Sequence, residues 1–281
     1  MTATRLVFGT YDLPDTPLVP RLLDRFVAGG GRALDVANVY RDGESARATG
    51  RWLQRSGADV VVYAKGCHPP HCSPERVAAE VDVARSLLGL EHIDVFLLHR
   101  DDPSRAAAEW ADALLEQVRA GTIGGFGVSN WTVPRLRELH ARSEGRLLAF
   151  SNHFSLAQMV SAPWPGCLAS TAEDLRALAD LDLRVIAWSS LATGFFAGRD
   201  VPCWDSPDNR ARRERALTLA SALGTTAPAV ALAYVLQQPG FVLPAFGSRS
   251  VEHIDEAFAA AELELTPDQL SWLEHGVRQP V

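Results

Sequence analysis

Residues 59–65 read DVVVYAK, and residues 73–89 read SPERVAAEVDVARSLLG. The first is a β-branched run of the length of a buried strand. The second has helix length, opens on a Ser cap with proline at the first helical position, and closes on Gly89. A buried strand that finishes on a charge needs a reason, because burying a charge costs several kcal/mol unless it is paired. One answer is ordinary: the stem of Lys65 crosses an apolar layer while its head reaches water. The other is a partner inside the fold.

The same strand-then-helix unit recurs on both sides. RLVFG (5–9) leads to LVPRLLDRFVAGG (18–30), and RALDVA (32–37) to SARATGRWLQRS (45–56). Further on, IDVFLLH (93–99), IGGFGVS (123–129) and LLAFS (147–151) each precede a helical pattern, as do RVIAWSS (184–190) and FVLPAFG (241–247). Eight such units predict an α/β fold, a (β/α)8 TIM barrel closed as a single domain over residues 1–281. A long irregular stretch, about 197–210, is expected to lie over the barrel mouth and to lead into an extra helix at 210–224. The rival is a two-domain doubly wound fold, which calls for a glycine-rich dinucleotide turn after an early strand. AGGGR (28–32) falls instead at a helix end, and GGFGVSN (124–130) lacks the spacing.

With 281 residues, 47% of them hydrophobic, the chain can bury a large core unaided. A formal charge of -7 without a Lys/Arg-rich block argues against a nucleic-acid partner. The amino-terminal MTATRLVFGTYDL has no signal pattern, and no run of about 18 apolar residues occurs, so a soluble, cytoplasmic protein with no membrane partner is expected. The four cysteines do not form a disulfide framework and are expected reduced. Cys67, His68, His71 and Cys72 offer ligand atoms, but Pro69 and Pro70 stiffen a spacing too short for one tetrahedral ion, so no metal is expected.

In a TIM barrel, chemistry belongs at the carboxyl ends of the strands. Asp35, Lys65 and His99 fall at such ends, and Tyr40 opens the loop after the second strand. Each has a bland alternative: Asp35 a cap, Tyr40 a rim residue, Lys65 a snorkelling side chain, His99 a satisfied core histidine. Their coincidence on one face favours function.

ALDVANVYRDGESARATGRWL, YAKG, FLLHRDDP and GVSNW together resemble the aldo-keto reductase superfamily, and the resemblance continues through VIAWSSLATGFFAG to LTPDQLSWLE near the end of the chain. It implies a barrel that binds a nicotinamide dinucleotide, NADP(H) in preference to NAD(H), and acts on a small-molecule carbonyl or alcohol substrate. By it, Asp35, Tyr40, Lys65 and His99 are catalytic. Tyr40 is then the general acid, and Lys65, paired with Asp35 beneath it, is expected to favour the phenolate. Ser129, Asn130 and Ser151 match the carboxamide-binding positions, Ser151 replacing a frequent glutamine. Trp188 matches the residue that stacks on the nicotinamide. Ser189, Leu191 and Thr193 fall in the pyrophosphate loop, and Gly247, Ser248, Arg249, His253 and Glu256 at the adenosine end, with Arg249 facing the 2′-phosphate. The hairpin that usually closes the barrel bottom is expected to be shortened or absent.

For the substrate, Tyr11 and Trp131 are expected to bind it, with Trp164, Phe195, Phe196 and Trp204 as further candidates to line the mouth, while Arg100, Asp101 and Asp102 would add polarity beside His99. Aromatic walls with polar groups suit a keto-sugar and equally an aromatic aldehyde. Two other functions remain open to the residues: a Schiff-base aldolase using Lys65, and a non-enzymatic cofactor-sensing subunit.

Overall fold

A computed structural model describes residues 5–277, and residues 1–4, in the segment before the first strand where the hairpin would fall, lie outside them. Eight parallel strands close in sequence order, each paired with the next and the first with the last. They are β1 (Val7–Gly9), β2 (Ala33–Ala37), β3 (Val61–Gly66), β4 (Ile93–Leu98), β5 (Ile123–Ser129), β6 (Leu147–Ser151), β7 (Arg184–Ala187) and β8 (Phe241–Phe246).

Successive side chains of a strand point to opposite faces. Tyr63, Leu97, Ala149, Ile186 and Ala245 accordingly pack on one another inside the barrel. Their neighbours Val62, Phe96, Phe150, Val185 and Phe246 belong to the larger core between sheet and helices. Burying each such large apolar side chain contributes about 1.5–3 kcal/mol. Two residues beyond each inward position stands the next inward one: Lys65 after Tyr63, His99 after Leu97, Ser151 after Ala149, Trp188 after Ile186. The apolar interior is thus roofed by a polar layer whose height is set by strand register. Asp35 pairs with Tyr63, and Ala37 with Lys65. Gly127, opposite Ala149, has no alternative on this inner face, since a Cβ there would lie 2.6 Å from the Ala149 carbonyl oxygen.

Helices α1 (Leu18–Ala28), α2 (Glu44–Ser56), α3 (Val77–Leu88), α4 (Ala107–Arg119), α5 (Val133–His140) and α6 (Ala172–Leu178) follow the first six strands. The extra helix α7 (Pro207–Leu223) starts earlier than expected, because Ser206 caps it by accepting from the Asn209 N–H. Helix α8 (Ala227–Leu236) completes the seventh unit and α9 (Val251–Ala261) the eighth; α10 (Pro267–His275) packs against α7. Gly89 ends α3 with φ 64°, as its type requires, but Pro74–Arg76 is a separate 3-10 turn before α3 and Ser73 makes no side-chain cap. Strand β7 stops at Ala187 rather than Ser190: Ser189, at φ 50°, turns the chain out of the ladder. No single helix among the described residues is long and apolar enough to cross a membrane.

Candidate active site

Asp35 lies within β2 rather than at its end, on the inward face, where its carboxylate reaches across to Lys65 on β3. Lys65 Nζ donates to Asp35 Oδ1 at 2.5 Å, with both residues almost wholly enclosed. That pair answers the question posed by VVVYAK: the lysine does not snorkel, it is neutralised. Burial lowers the Lys65 pKa and Asp35 opposes the shift.

Tyr40 is carried over this pair by a tight turn, Tyr40–Gly43, in which Arg41 and Asp42 adopt the left-handed region at φ 48° and 52°. Non-glycine residues enter that region at a cost, and such strain is common beside functional sites. The Tyr40 hydroxyl donates to Asp35 Oδ2 at 3.3 Å, and Lys65 Nζ sits 5.1 Å from the ring centroid. This reverses the expected electrostatics of the phenol. Burial, then the charge of Asp35, then the hydrogen bond to it, raise the Tyr40 pKa well above 10.0, and Lys65 is spent on the same carboxylate.

His99 follows β4, its N–H bonded to the Gly66 carbonyl, and its ring meets Tyr40 edge-on at 5.9 Å. Burial first, then Lys65, Arg100 and His68, hold its pKa well below 6.5, so the ring is neutral. Its Nδ1 is buried without a partner. His68, considered above only as a metal ligand, lies 5.0 Å from His99 ring to ring. Its neighbours diverge: Cys67 is buried, with burial pushing its thiol pKa up; His71 is exposed; Cys72 donates to the Arg100 carbonyl, its pKa pushed up to about 11 chiefly by burial. No ligand cluster forms among the described residues.

The mouth is walled by Tyr11 and Trp164, both exposed, their rings 5.3 Å apart, with Tyr11 edge-on to Tyr40 at 5.2 Å. Trp131 is not with them. It is fully buried beside Trp110 of α4 and under the Arg135 guanidinium, because residue 131 falls on the helix-facing side of the chain after β5. Phe195, Phe196 and Trp204 are likewise buried as packing. Trp204 donates to His153 Nε2 at 3.0 Å, and His153 Nδ1 faces the Trp188 carbonyl at 3.1 Å, which fixes a neutral ring with its proton on Nδ1. Burial takes the His153 pKa down to about 4. No period or motif in the sequence singles out His153, and residues 67–72 point to His68 only as a metal ligand.

The residues assigned to a nicotinamide lie side by side at the carboxyl ends of β5, β6 and β7, Asn130 and Trp188 just past their strands. Ser129 Oγ accepts from Asn130 Nδ2 at 3.0 Å, and Asn130 Oδ1 accepts from the Leu168 N–H. Ser151 Oγ and Trp188 Nε1 are buried without partners. Together with His99 Nδ1 they put three unpaired polar atoms in or beside one layer, where buried polar groups ordinarily find a bond. A ligand bearing an amide fits this donor set. Ser189 and Thr193, both at positive φ, and Leu191 shape the next loop, which Ser190 pins by donating to the Ala245 carbonyl. Gly247, Ser248 and Arg249 follow β8, and His253 and Glu256 are exposed on α9. Arg249 is not idle: it pairs with Asp12 at 2.7 Å, and Asp12 also takes Arg41 at 3.2 Å.

Comparison with known proteins names the class. The model of the aldo/keto reductase family matches residues 5–275. The chain is 26% identical over 309 residues to the uncharacterized oxidoreductase YrpG of Bacillus subtilis, covering 97% of this chain and 92% of that one. Among solved structures, an aldo-keto reductase of Klebsiella pneumoniae in complex with NADPH superposes with a TM-score of 0.79 at 21% identity, covering 99% of this chain and 92% of its own. The glycerol dehydrogenase of Gluconobacter oxydans gives 0.82 at 20% identity, with 99% and 93% covered. The protein belongs to the aldo/keto reductase family and is an oxidoreductase.

Proposed function

We propose that the protein reduces a small carbonyl compound with NADPH, reversibly, with Tyr40 as the proton donor. The observation that carries this reading is the Tyr40–Asp35–Lys65 constellation beside a neutral His99, and the Klebsiella relative's NADPH supports the choice of cofactor.

When bound, the dihydronicotinamide supplies two electrons as hydride to the carbonyl carbon. Ser129, Asn130 and Ser151 would hold its carboxamide, Trp188 its ring face, and Arg249 a 2′-phosphate. At the other side of the carbonyl, neutral His99 donates a hydrogen bond to the oxygen and orients it. The raised pKa of Tyr40 keeps the phenol protonated at working pH, so the proton is present when the oxygen gains charge. Its 3.3 Å bond to Asp35 is long, and the carbonyl oxygen can displace it. As the proton leaves, the Lys65 cation, 5.1 Å from the ring centroid and already shared with Asp35, compensates only part of the phenolate charge left behind. With hydride on the carbon and the Tyr40 proton on the oxygen, the carbonyl becomes the alcohol.

The aldolase alternative requires Lys65 to be neutral and open to substrate, whereas it is enclosed and ion-paired. Incubation with 4-deuterated NADPH and a panel of aldehydes tests the proposal: deuterium in the product alcohol is expected. A borohydride-trapped adduct on Lys65 without deuterium transfer favours the aldolase, and cofactor binding with neither outcome favours a sensor.

A further inference from the structure

We infer that the preferred substrates carry a carboxylate close to the reacting carbonyl, and that Arg100 is the group that binds it. The inference rests on the reductase reading of the same site. Arg100 directly follows His99 and is only 6% exposed. No carboxylate lies within ion-pair distance of it among the described residues, although an enclosed cation ordinarily has one.

The acidic groups around the mouth are all committed elsewhere. Asp35 is taken by Lys65. Asp101, next in the chain, forms a two-pronged pair with Arg135 at 2.9 and 3.1 Å. Asp102 accepts from the Ser104 hydroxyl and N–H. The charge of Arg100 therefore has no ion-pair partner of its own among the described residues: Lys65 and Asp35 cancel, Asp101 is taken by Arg135, and Asp102 is turned to Ser104. That charge reaches Tyr40, Lys65 and His99 alike.

The hydrogen-bond account is also open. Nε donates to the Pro165 carbonyl at 3.1 Å and one terminal nitrogen to the His99 carbonyl at 2.8 Å. The other terminal nitrogen meets only the Cys167 sulfur, at 3.4 Å. A guanidinium has five N–H groups, so each terminal nitrogen keeps one proton unassigned, and thiol sulfur is a weak acceptor that a carboxylate oxygen outcompetes. Backbone anchors at Pro165 and His99 fix the plane of the fork, and the fixed fork matches a planar carboxylate.

The test compares kcat/KM for 2-carboxybenzaldehyde against benzaldehyde and for succinic semialdehyde against butanal, in the wild type, Arg100→Gln and Arg100→Lys. The wild type is expected to favour the carboxylate in at least one pair by about 10-fold or more, the usual weight of a charged hydrogen bond. Arg100→Gln should bring that ratio near one through KM, and Arg100→Lys should retain part of it. Absence of preference in both pairs, or a ratio that survives Arg100→Gln, overturns the inference; a merely structural arginine would slow both aldehydes together. Should no aldehyde be reduced at all, the reductase reading fails separately, and benzoate binding to the NADPH-loaded protein, followed by tryptophan fluorescence, decides Arg100: binding lost in Arg100→Gln and partly retained in Arg100→Lys upholds it, and unchanged or absent binding rejects it.

Discussion

Tyr40 and Asp35 are joined by a 3.3 Å hydrogen bond in which the phenol is the donor, so the proton assigned to catalysis rests on a carboxylate until a carbonyl replaces it. Tyr40→Phe deletes the hydroxyl and keeps the ring. Turnover of a verified aldehyde should fall roughly 10²-fold or more, the scale of a lost general acid, with the Kd for NADPH nearly unchanged. Stopped-flow NADPH oxidation beside a fluorescence titration measures both. Undiminished turnover would remove Tyr40 from the acid role.

Asp35 also balances the most enclosed cation of the barrel. Asp35→Asn strands Lys65 and is expected to cost about 3–5 kcal/mol of stability, the penalty for breaking a buried pair from one side. Urea unfolding reads this as a lower midpoint at unchanged slope. The double variant Asp35→Asn/Lys65→Met should recover much of the loss, because the unpaired charge is then gone. Additive losses in the double variant would show that the two residues are not coupled as the 2.5 Å contact indicates.

Arg249 is half of an exposed ion pair with Asp12, which is worth little on its own. Arg249→Ala should therefore leave the unfolding midpoint near wild type. NADPH binding should weaken by about 1.5–3 kcal/mol if the 2′-phosphate replaces Asp12 as its partner, and NADH binding by much less. Calorimetric titration with the two cofactors separates them, and equal losses would transfer the phosphate contact to another residue.

His153 makes stability depend on pH. Its folded pKa, about 4, lies below the 6.5 of a free imidazole, so the unfolded chain binds a proton that the folded one refuses. Stability is whole above pH 6.5, declines as the pH falls, and levels off below about 4. The total from this residue is about 3 kcal/mol, at 1.36 kcal/mol for each pKa unit. Buried His99 adds a loss of the same sign. Urea unfolding at pH 7, 6 and 5 should show the decline, and His153→Gln should shallow it; an identical slope in the variant would exclude His153 as its source.

The barrel was legible because each strand is a compact, largely apolar run and several helices carry their own stop signals, as α3 does at Gly89. The polar layer was legible for the same reason: Lys65 and His99 terminate apolar runs in which any charge is conspicuous. Trp131 was not, since an aromatic after a strand looks the same whether it faces the mouth or the helices, and only the turn at Asn130, with φ 61°, decides it. The direction of the Tyr40 pKa was hidden too. It depends on which of two opposite charges the hydroxyl meets, and residue order brings Asp35 and Lys65 equally near. His68 was overlooked as a site residue because the neighbouring cysteines offered it a more familiar role, and Arg100, expected with Asp101 and Asp102 only to add polarity beside His99, showed nothing in the sequence of its lack of a carboxylate partner.

The alternation that lifts Lys65, His99, Ser151 and Trp188 to one height also divides the chain into parts that tolerate change differently. Deleting a single residue from β3 or β4 would turn Lys65 or His99 outward into the helix layer and extinguish the chemistry at once. The segments bearing Tyr11, His68 and Trp164 lie beyond the ladder, where insertions leave every strand in step. Such a scaffold can exchange one clientele of carbonyl compounds for another by editing its loops while the reaction itself stays written in the sheet.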